Sequence, residues 1–411
     1  AIYFNPIFQS ASNHRYHTHD YYQVDPILGG NKAFRKLLDA AHGRGMKVVL
    51  DGVFNHASRG FFQFNHLLEC GAASPYLDWW VADEFPLNAY DPTGAKPNYG
   101  AWWDLPALPK LNTDTPAVRE FIWSVAEYWV QFGIDGWRLD VPFEIDDDEF
   151  WREFRRRVKG ANPEAYIVGE LWEESHRWLA GDQFDAQMNY LFSRPAIAHF
   201  GRETLADLKH GPYAVDPVAD AAEFAAAIEK TFTLYDWEVV QVQLNLLGSH
   251  DTPRYLTMVG EDESALKLGT LCQMTLPGAP CIYYGDELGL IGGYEPECRN
   301  AMPWDEVPAL MAGDLWRAMR DAAMLRQRHK VLRRGTYTTV FAEGDLLAYR
   351  RDLGGQWALV AFNTARTSAP LTVPVPGDFH VALGQPLAVM REGDTVTLDM
   401  PARHGVVLAG G

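Results

Sequence analysis

Cysteine is scarce in this chain of 411 residues, which holds only Cys70, Cys272, Cys281 and Cys298, with no C-x-x-C pair among them. That spacing excludes a disulfide-stapled scaffold and offers no structural zinc signature. Basic residues are outnumbered 54 to 36 by acidic ones, leaving a formal charge of −18. A surface that acidic is repelled by phosphate backbones and anionic lipid, so neither a nucleic acid nor a membrane is expected as partner. No apolar run approaches the roughly 20 residues that cross a bilayer. Internal repeats and low-complexity segments are absent as well. Aromatic residues, by contrast, make up 13% of the chain. Trp79, Trp80, Trp102, Trp103 and Trp172 fall outside periodic apolar segments, where flat rings suit a cleft for flat, hydroxyl-rich ligands.

Short β-branched or aromatic runs alternate with amphipathic stretches. Strands are expected at 1–8, 46–54, 133–141, 165–172, 184–190, 243–251 and 279–287, and helices at 31–45, 116–133, 147–160, 221–232 and 263–276. Alternation of this kind predicts a parallel sheet with helices outside it. Seven strands against the eight of a closed (β/α)8 TIM barrel predict a barrel whose first β/α unit is absent from this chain. Residues 57–115, rich in Trp, Pro, Asn and Asp and without clean periodicity, read as an inserted lid subdomain. From 331 to 411 short alternating runs separated by Gly, Asp and Pro turns predict a C-terminal antiparallel β-sandwich, leaving 1–330 as the barrel.

Polar residues interrupt the apolar strands at their C-terminal ends, where a barrel carries its chemistry. The ends read DGVFNH (Asp51, Asn55, His56), GWRLDVPFE (Arg138, Asp140, Glu144), GELW (Glu170, Trp172) and GSHDTPR (His250, Asp251, Arg254). Any one of these carboxylates alone is better explained as an ion pair, and a lone histidine as a structural one. Placement of Asp140, Glu170 and Asp251 on three strand exits is what singles out the set. A metal centre would draw on His56, His250, Asp140 and Asp251, but no H-x-H ligand pair occurs at a strand end. Glycoside hydrolysis needs instead one ionised and one protonated carboxyl. Arg138 lies two residues before Asp140 and so on the same strand face, where it can hold Asp140 ionised. Glu170 follows the apolar AYIVG and precedes Trp172, surroundings expected to favour its protonated form.

Taken in order, DGVFNH, GWRLDVPFE, GELW and GSHDTPR resemble the four signature regions of the α-amylase family of glycoside hydrolases. LPKLN (108–112) is similar to the MPKLN of its neopullulanase, cyclomaltodextrinase and maltogenic amylase branch, with support from NHRYHTHDYYQVDPILGG (13–30), GDQFDAQMNY (181–190) and CRNAMPWD (298–305). The resemblance implies Asp140 as nucleophile, Glu170 as acid and then base, and Asp251 as the third carboxylate, stabilising an oxocarbenium-like transition state. It also implies that His56, Arg138 and His250 bind the hydroxyls of the cleaved glucose, that Tyr16 stacks on that ring, and that Arg299 contacts it. Glu144 and Trp172 would line the acceptor side.

The implied activity is retaining hydrolysis of α-1,4 bonds, with α-1,6 bonds also in reach, in cyclodextrins, pullulan or starch, accompanied by some transglycosylation. A glucanotransferase or isomerising enzyme of the same family, or a silent glycan-binding scaffold, are the alternatives. No cofactor is required; calcium and a homodimer are compatible with the family without being expected, and a cytoplasmic location follows from the branch and the unpaired cysteines. Two departures stand out: VPFE replaces the more usual VANE, and Glu295 stands where the branch commonly has Asp.

Overall fold

Residues 48–52 read Val-Val-Leu-Asp-Gly and every one of them is buried. A strand apolar on both faces belongs inside a parallel sheet. In the computed structural model, which describes residues 1–206, 215, 218 and 220–411, it lies in one. The chain divides into two units, residues 1–171 with 175–187, and residues 172–174 with 188–411.

The first unit contains β1 (Ile2–Phe4), β2 (Phe8–Ser10), β3 (Thr18–Val24), β4 (Val48–Gly52), β5 (Gly136–Leu139), β6 (Tyr166–Gly169) and β7 (Ala186–Gln187). Five of them form a parallel sheet in the order β1-β4-β5-β6-β7, and β2 pairs antiparallel with β3. The strand expected over 1–8 is therefore split: Ile2–Phe4 pairs with β4, and Phe8 already belongs to the hairpin. Gly136 has a packing reason, since a Cβ there would stand 2.3 Å from the Tyr166 carbonyl oxygen on β6.

Helices fill the connections. In the helix Gly30–His42, Phe34, Leu38 and Ala41 make the buried stripe. The helix Pro116–Phe132 starts on proline and stops at Gly133, whose φ of 116° suits only glycine and whose N–H returns to the Trp129 and Val130 carbonyls. Asp147 caps Asp148–Ala161 by accepting the Phe150 N–H, and Phe150, Trp151, Phe154 and Val158 pack inward. Aromatic rings close the core: Phe8 stacks on Trp129 at 5.1 Å, and the Trp129 and Trp137 indole N–H groups reach the Tyr21 and Ala126 carbonyls.

Within 57–115 the helix Phe62–Cys70 was not legible, because it buries only Phe64 and Leu67, too few positions to show a period. Isolated bridges, Ala82 to Tyr99 and Ala101 to Pro109, tie the remainder.

The second unit holds the parallel pair β8 (Leu244–Leu246) and β9 (Ala279–Cys281), with Met188 bridging to Leu244. The helices Ala221–Thr233 and Glu263–Thr275 match the sequence reading. Tyr190–Phe200 and Asp314–Arg328 add to it; Pro195 inside the first of these disguises it as a loop. Beyond residue 337 come β10 (Thr338–Glu343), β11 (Leu346–Leu353), β12 (Gln356–Asn363), β13 (Ala369–Pro374), β14 (Phe379–Leu383), β15 (Ala388–Glu392), β16 (Thr395–Met400) and β17 (His404–Gly410). They form two antiparallel sheets, β10-β11-β12-β17-β14 and β13-β16-β15, whose Leu359, Ala361, Leu408, Leu371, Val396 and Leu398 share one apolar core. Arg351 of β11 and Arg326 are buried guanidiniums whose bonds run to backbone carbonyls, Leu332 being shared by both. Among the described residues no helix is long and apolar enough to cross a membrane.

Candidate active site

Strand register builds the first part of the site. Asp51 on β4 pairs with Arg138 on β5, and alternation puts Asp140 two residues further on the same face as Arg138. Arg138 is completely buried, and its single guanidinium meets three carboxylates. Nη1 donates to Asp51 at 2.9 and 3.0 Å and to Asp140 Oδ1 at 2.9 Å, while Nη2 stands 2.8 Å from Glu170 Oε2. The Tyr3 and Tyr16 hydroxyls add donors to Asp51 Oδ2 at 3.1 and 3.0 Å. Burial pushes the Asp51 carboxyl up, opposed by Arg138 and both tyrosines.

Glu170 corrects one expectation. Its surroundings are not simply apolar, because Oε2 accepts the Val141 N–H at 3.0 Å and forms an ion pair with Arg138 Nη2 at 2.8 Å, contacts that favour the charged form.

His56 is buried and its ring stacks on Trp102 (5.1 Å, 13°), which stacks on Trp103 (4.5 Å, 14°). This ladder runs from a histidine that is 1% exposed to a tryptophan that is 75% exposed. Glu144 accepts Lys110 Nζ at 2.8 Å, and the Lys110 backbone bridges to His56, so LPKLN joins these two residues. Neither bonds Arg138 among the interactions above.

The second unit carries its own polar set. Asp251 Oδ2 lies 3.0 Å from His250 Nε2, and Oδ1 accepts Arg299 Nη2 at 3.0 Å. Arg299 also donates to the His250 carbonyl at 2.9 Å and to Glu295 at 2.7 Å, so glutamate at 295 serves as an arm for that arginine. Trp172 lies face to face with Tyr190 at 3.7 Å; the Tyr190 hydroxyl is 3.2 Å from Ser249 Oγ, which accepts the Asp251 N–H. Arg254 lies against both the Tyr283 and Tyr284 rings and donates to Asp286, whose carboxyl burial raises to about 7.

Sequence reasoning missed Asp51 as a partner of Arg138, although DGVFNH displays it and strand alternation would have paired the two. It also passed over Tyr3, Lys110, Tyr190 and Ser249, which act through side chains that already stood in the set. Among the described residues no group of three or more His, Cys, Asp or Glu is arranged to hold a metal ion.

Burial holds His56 at a pKa of about 3, and does the same to His199, which stacks on Phe224. Both folded values lie below the 6.5 of an unfolded chain, so their contribution is complete above pH 6.5 and is lost as pH falls toward 3. Each histidine should contribute about 1.4 kcal/mol of lost stability per pH unit in that window. Urea unfolding of His199→Phe between pH 6 and 4 should show a slope shallower than the parent's by about that amount.

The sequence profile of the alpha amylase catalytic domain matches residues 1–330. The chain belongs to the alpha-amylase family. A TIM barrel is the fold expected of such a domain, in agreement with the parallel strands of both units. It is similar to the cyclomaltodextrinase of Geobacillus thermopakistaniensis (40% identity over 99% of this chain and 66% of the relative). It is also similar to neopullulanase 2 of Thermoactinomyces vulgaris (41% identity over 92% of this chain and 61% of the relative). The chain thus spans somewhat less than two thirds of these curated relatives. Among solved structures, a debranching enzyme from Nostoc punctiforme superimposes with a TM-score of 0.93 at 47% identity, over 99% of this chain and 85% of that one.

Proposed function

We propose that this alpha-amylase-family chain is a retaining α-glucan hydrolase acting on cyclodextrins, pullulan or starch, in which Asp140 is the nucleophile and Glu170 the acid and base. The observation that carries the reading is the pair of carboxylates, Asp140 and Glu170, on the one buried guanidinium of Arg138. Arg138 keeps Asp140 ionised for attack on the anomeric carbon. As that bond forms, the glycosidic oxygen leaves with the proton of Glu170, giving a glycosyl ester on Asp140. Glu170, now a carboxylate, takes a proton from water; the water oxygen attacks the same carbon and frees Asp140, so configuration is retained. A sugar hydroxyl in place of water gives transglycosylation.

Asp251, held by His250 and Arg299, is the third carboxylate, facing the positive charge that develops in the transition state. His56, neutral at its low pKa, and Arg138, His250 and Arg299 bind hydroxyls of the cleaved glucose, Tyr16 lies on its ring, and Glu144 and Trp172 line the acceptor side. The names of the relatives, cyclomaltodextrinase and neopullulanase, support the substrate class. A catalytic region at 1–330, with 57–115 inserted, precedes a β-sandwich at 331–411, a division supported by the shared core of the two C-terminal sheets. No cofactor is assigned. Four free cysteines favour a cytoplasmic location.

Reducing-sugar release from γ-cyclodextrin, pullulan and soluble starch tests the proposal. The parent protein should release sugar from at least one of them with retention at the anomeric carbon, seen by proton NMR before mutarotation. Inversion, or no release from any of the three, would overturn it.

A further inference from the structure

Between the two carboxyl groups of the proposed reaction stands a residue in a conformation its type rarely adopts. Val141 has φ 35° and ψ 51°, in the left-handed region, and is 8% exposed. It is β-branched and precedes Pro142, and either property alone disfavours that backbone. Strain of this kind persists where the surroundings enforce it, and it clusters at functional sites. Here the consequence is directional. The Asp140 N–H is held by the Gly52 carbonyl at 3.1 Å and the Glu170 N–H by the Leu139 carbonyl at 2.9 Å, both in ladder fashion. An extended residue 141 would continue that ladder; the left-handed turn sends its N–H to Glu170 Oε2 at 3.0 Å instead.

Arg138 Nη2 reaches the same oxygen at 2.8 Å. An oxygen that accepts the Val141 N–H and lies 2.8 Å from the guanidinium cation is the poorer seat for the carboxyl's own hydrogen. We propose that the Val141 peptide N–H, aimed by this turn, confines the Glu170 proton to Oε1 and so selects the oxygen that serves as acid and base. This deepens the hydrolase reading and rests on it for the role of Glu170. In the same unit the charged or titratable groups around that carboxyl include Arg138, Asp51 and Asp140 on the shared guanidinium, and Tyr3, whose hydroxyl burial and the neighbouring carboxylates hold well above its usual range. Val141 is a positioning residue, acting through its main chain.

The direct test replaces the 140–141 peptide with an ester, by nonsense suppression with the α-hydroxy acid of valine, so that an oxygen stands where the N–H was. Loss of one donor to the charged form should move the pH limb of kcat/KM assigned to Glu170 upward by about one unit. Val141→Gly keeps the N–H and should leave the limb in place. An ester whose limb does not move, or a glycine variant that moves it as far, overturns the proposal. A second readout needs neither turnover nor a new backbone. In parent protein labelled with 15N-valine, the Val141 amide shift should titrate with Glu170, and Glu170→Gln should abolish that titration. An amide shift indifferent to Glu170→Gln overturns the proposal independently. A parent that hydrolyses nothing overturns the hydrolase reading, and the amide titration still decides this one.

Discussion

Asp140→Asn is expected to lower kcat on the preferred α-glucan by on the order of 10⁴-fold or more, with KM changed far less. The amide is nearly isosteric and can still accept from Arg138, so the fold should survive while the nucleophile is gone. Glu170→Gln should show a comparable loss on natural substrates, whose leaving oxygen needs a proton, and a much smaller one on a maltosyl fluoride, whose leaving group does not. Azide separates the two roles. In Glu170→Gln, azide attacks the glycosyl ester on Asp140 from the face opposite it and yields the α-azide. In Asp140→Gly, the space left by the carboxylate admits azide to the other face, and the β-azide forms. Identical azide products from both variants would sink the assignment of distinct roles.

The parts of this protein that the sequence displays are those in which one local pattern decides the outcome. Helix Asp148–Ala161 shows its cap, its buried stripe and its acidic first turn in a single window, and its observed bounds follow the expected ones within a residue or so. All seven expected parallel strands are present within their expected ranges, because strands alternating with helices pair in parallel, and β4 and β5 are buried along their whole length. The site is legible for a different reason: charged residues inside such runs are costly, so Arg138, Asp140 and Glu170 stand out against their neighbours.

What stayed hidden depends on pairing across the chain. Asp51 is a strand-end acid like several others until register brings it opposite Arg138. The αL conformation of Val141 leaves no trace in the letters VPFE, where a β-branched residue before proline predicts extended backbone. Tyr190 could not be tied to Trp172 without the helix that Pro195 disguises.

Arg138→Met should be among the most destabilising substitutions in the chain and should make stability fall more steeply as pH rises. Removing the guanidinium leaves Asp51, Asp140 and Glu170 buried without their shared counter-charge, a change expected to cost about 3–5 kcal/mol at pH 7. Deprived of Arg138, these carboxyls take folded pKa values above those of the unfolded chain, so the folded state binds protons more tightly. Stability then falls as pH rises through those values, and the deficit against the parent should narrow on going from pH 7 to 4.5 in urea unfolding. An equal deficit at both pH values would mean that Arg138 acts by packing alone. Asp51→Asn in the Arg138→Met background should recover part of the loss, since the Tyr3 and Tyr16 hydroxyls can donate to the amide oxygen as they do to the carboxylate. Stability does not explain why one cation is set against three carboxylates, because such a cluster retains buried negative charge that a well-packed apolar replacement would avoid. That residual charge becomes favourable when positive charge develops at an anomeric carbon beside it, and the field is already oriented before the reaction begins. Under the proposed reaction, the same three carboxylates that an apolar replacement would avoid burying are the ones that would lower the barrier.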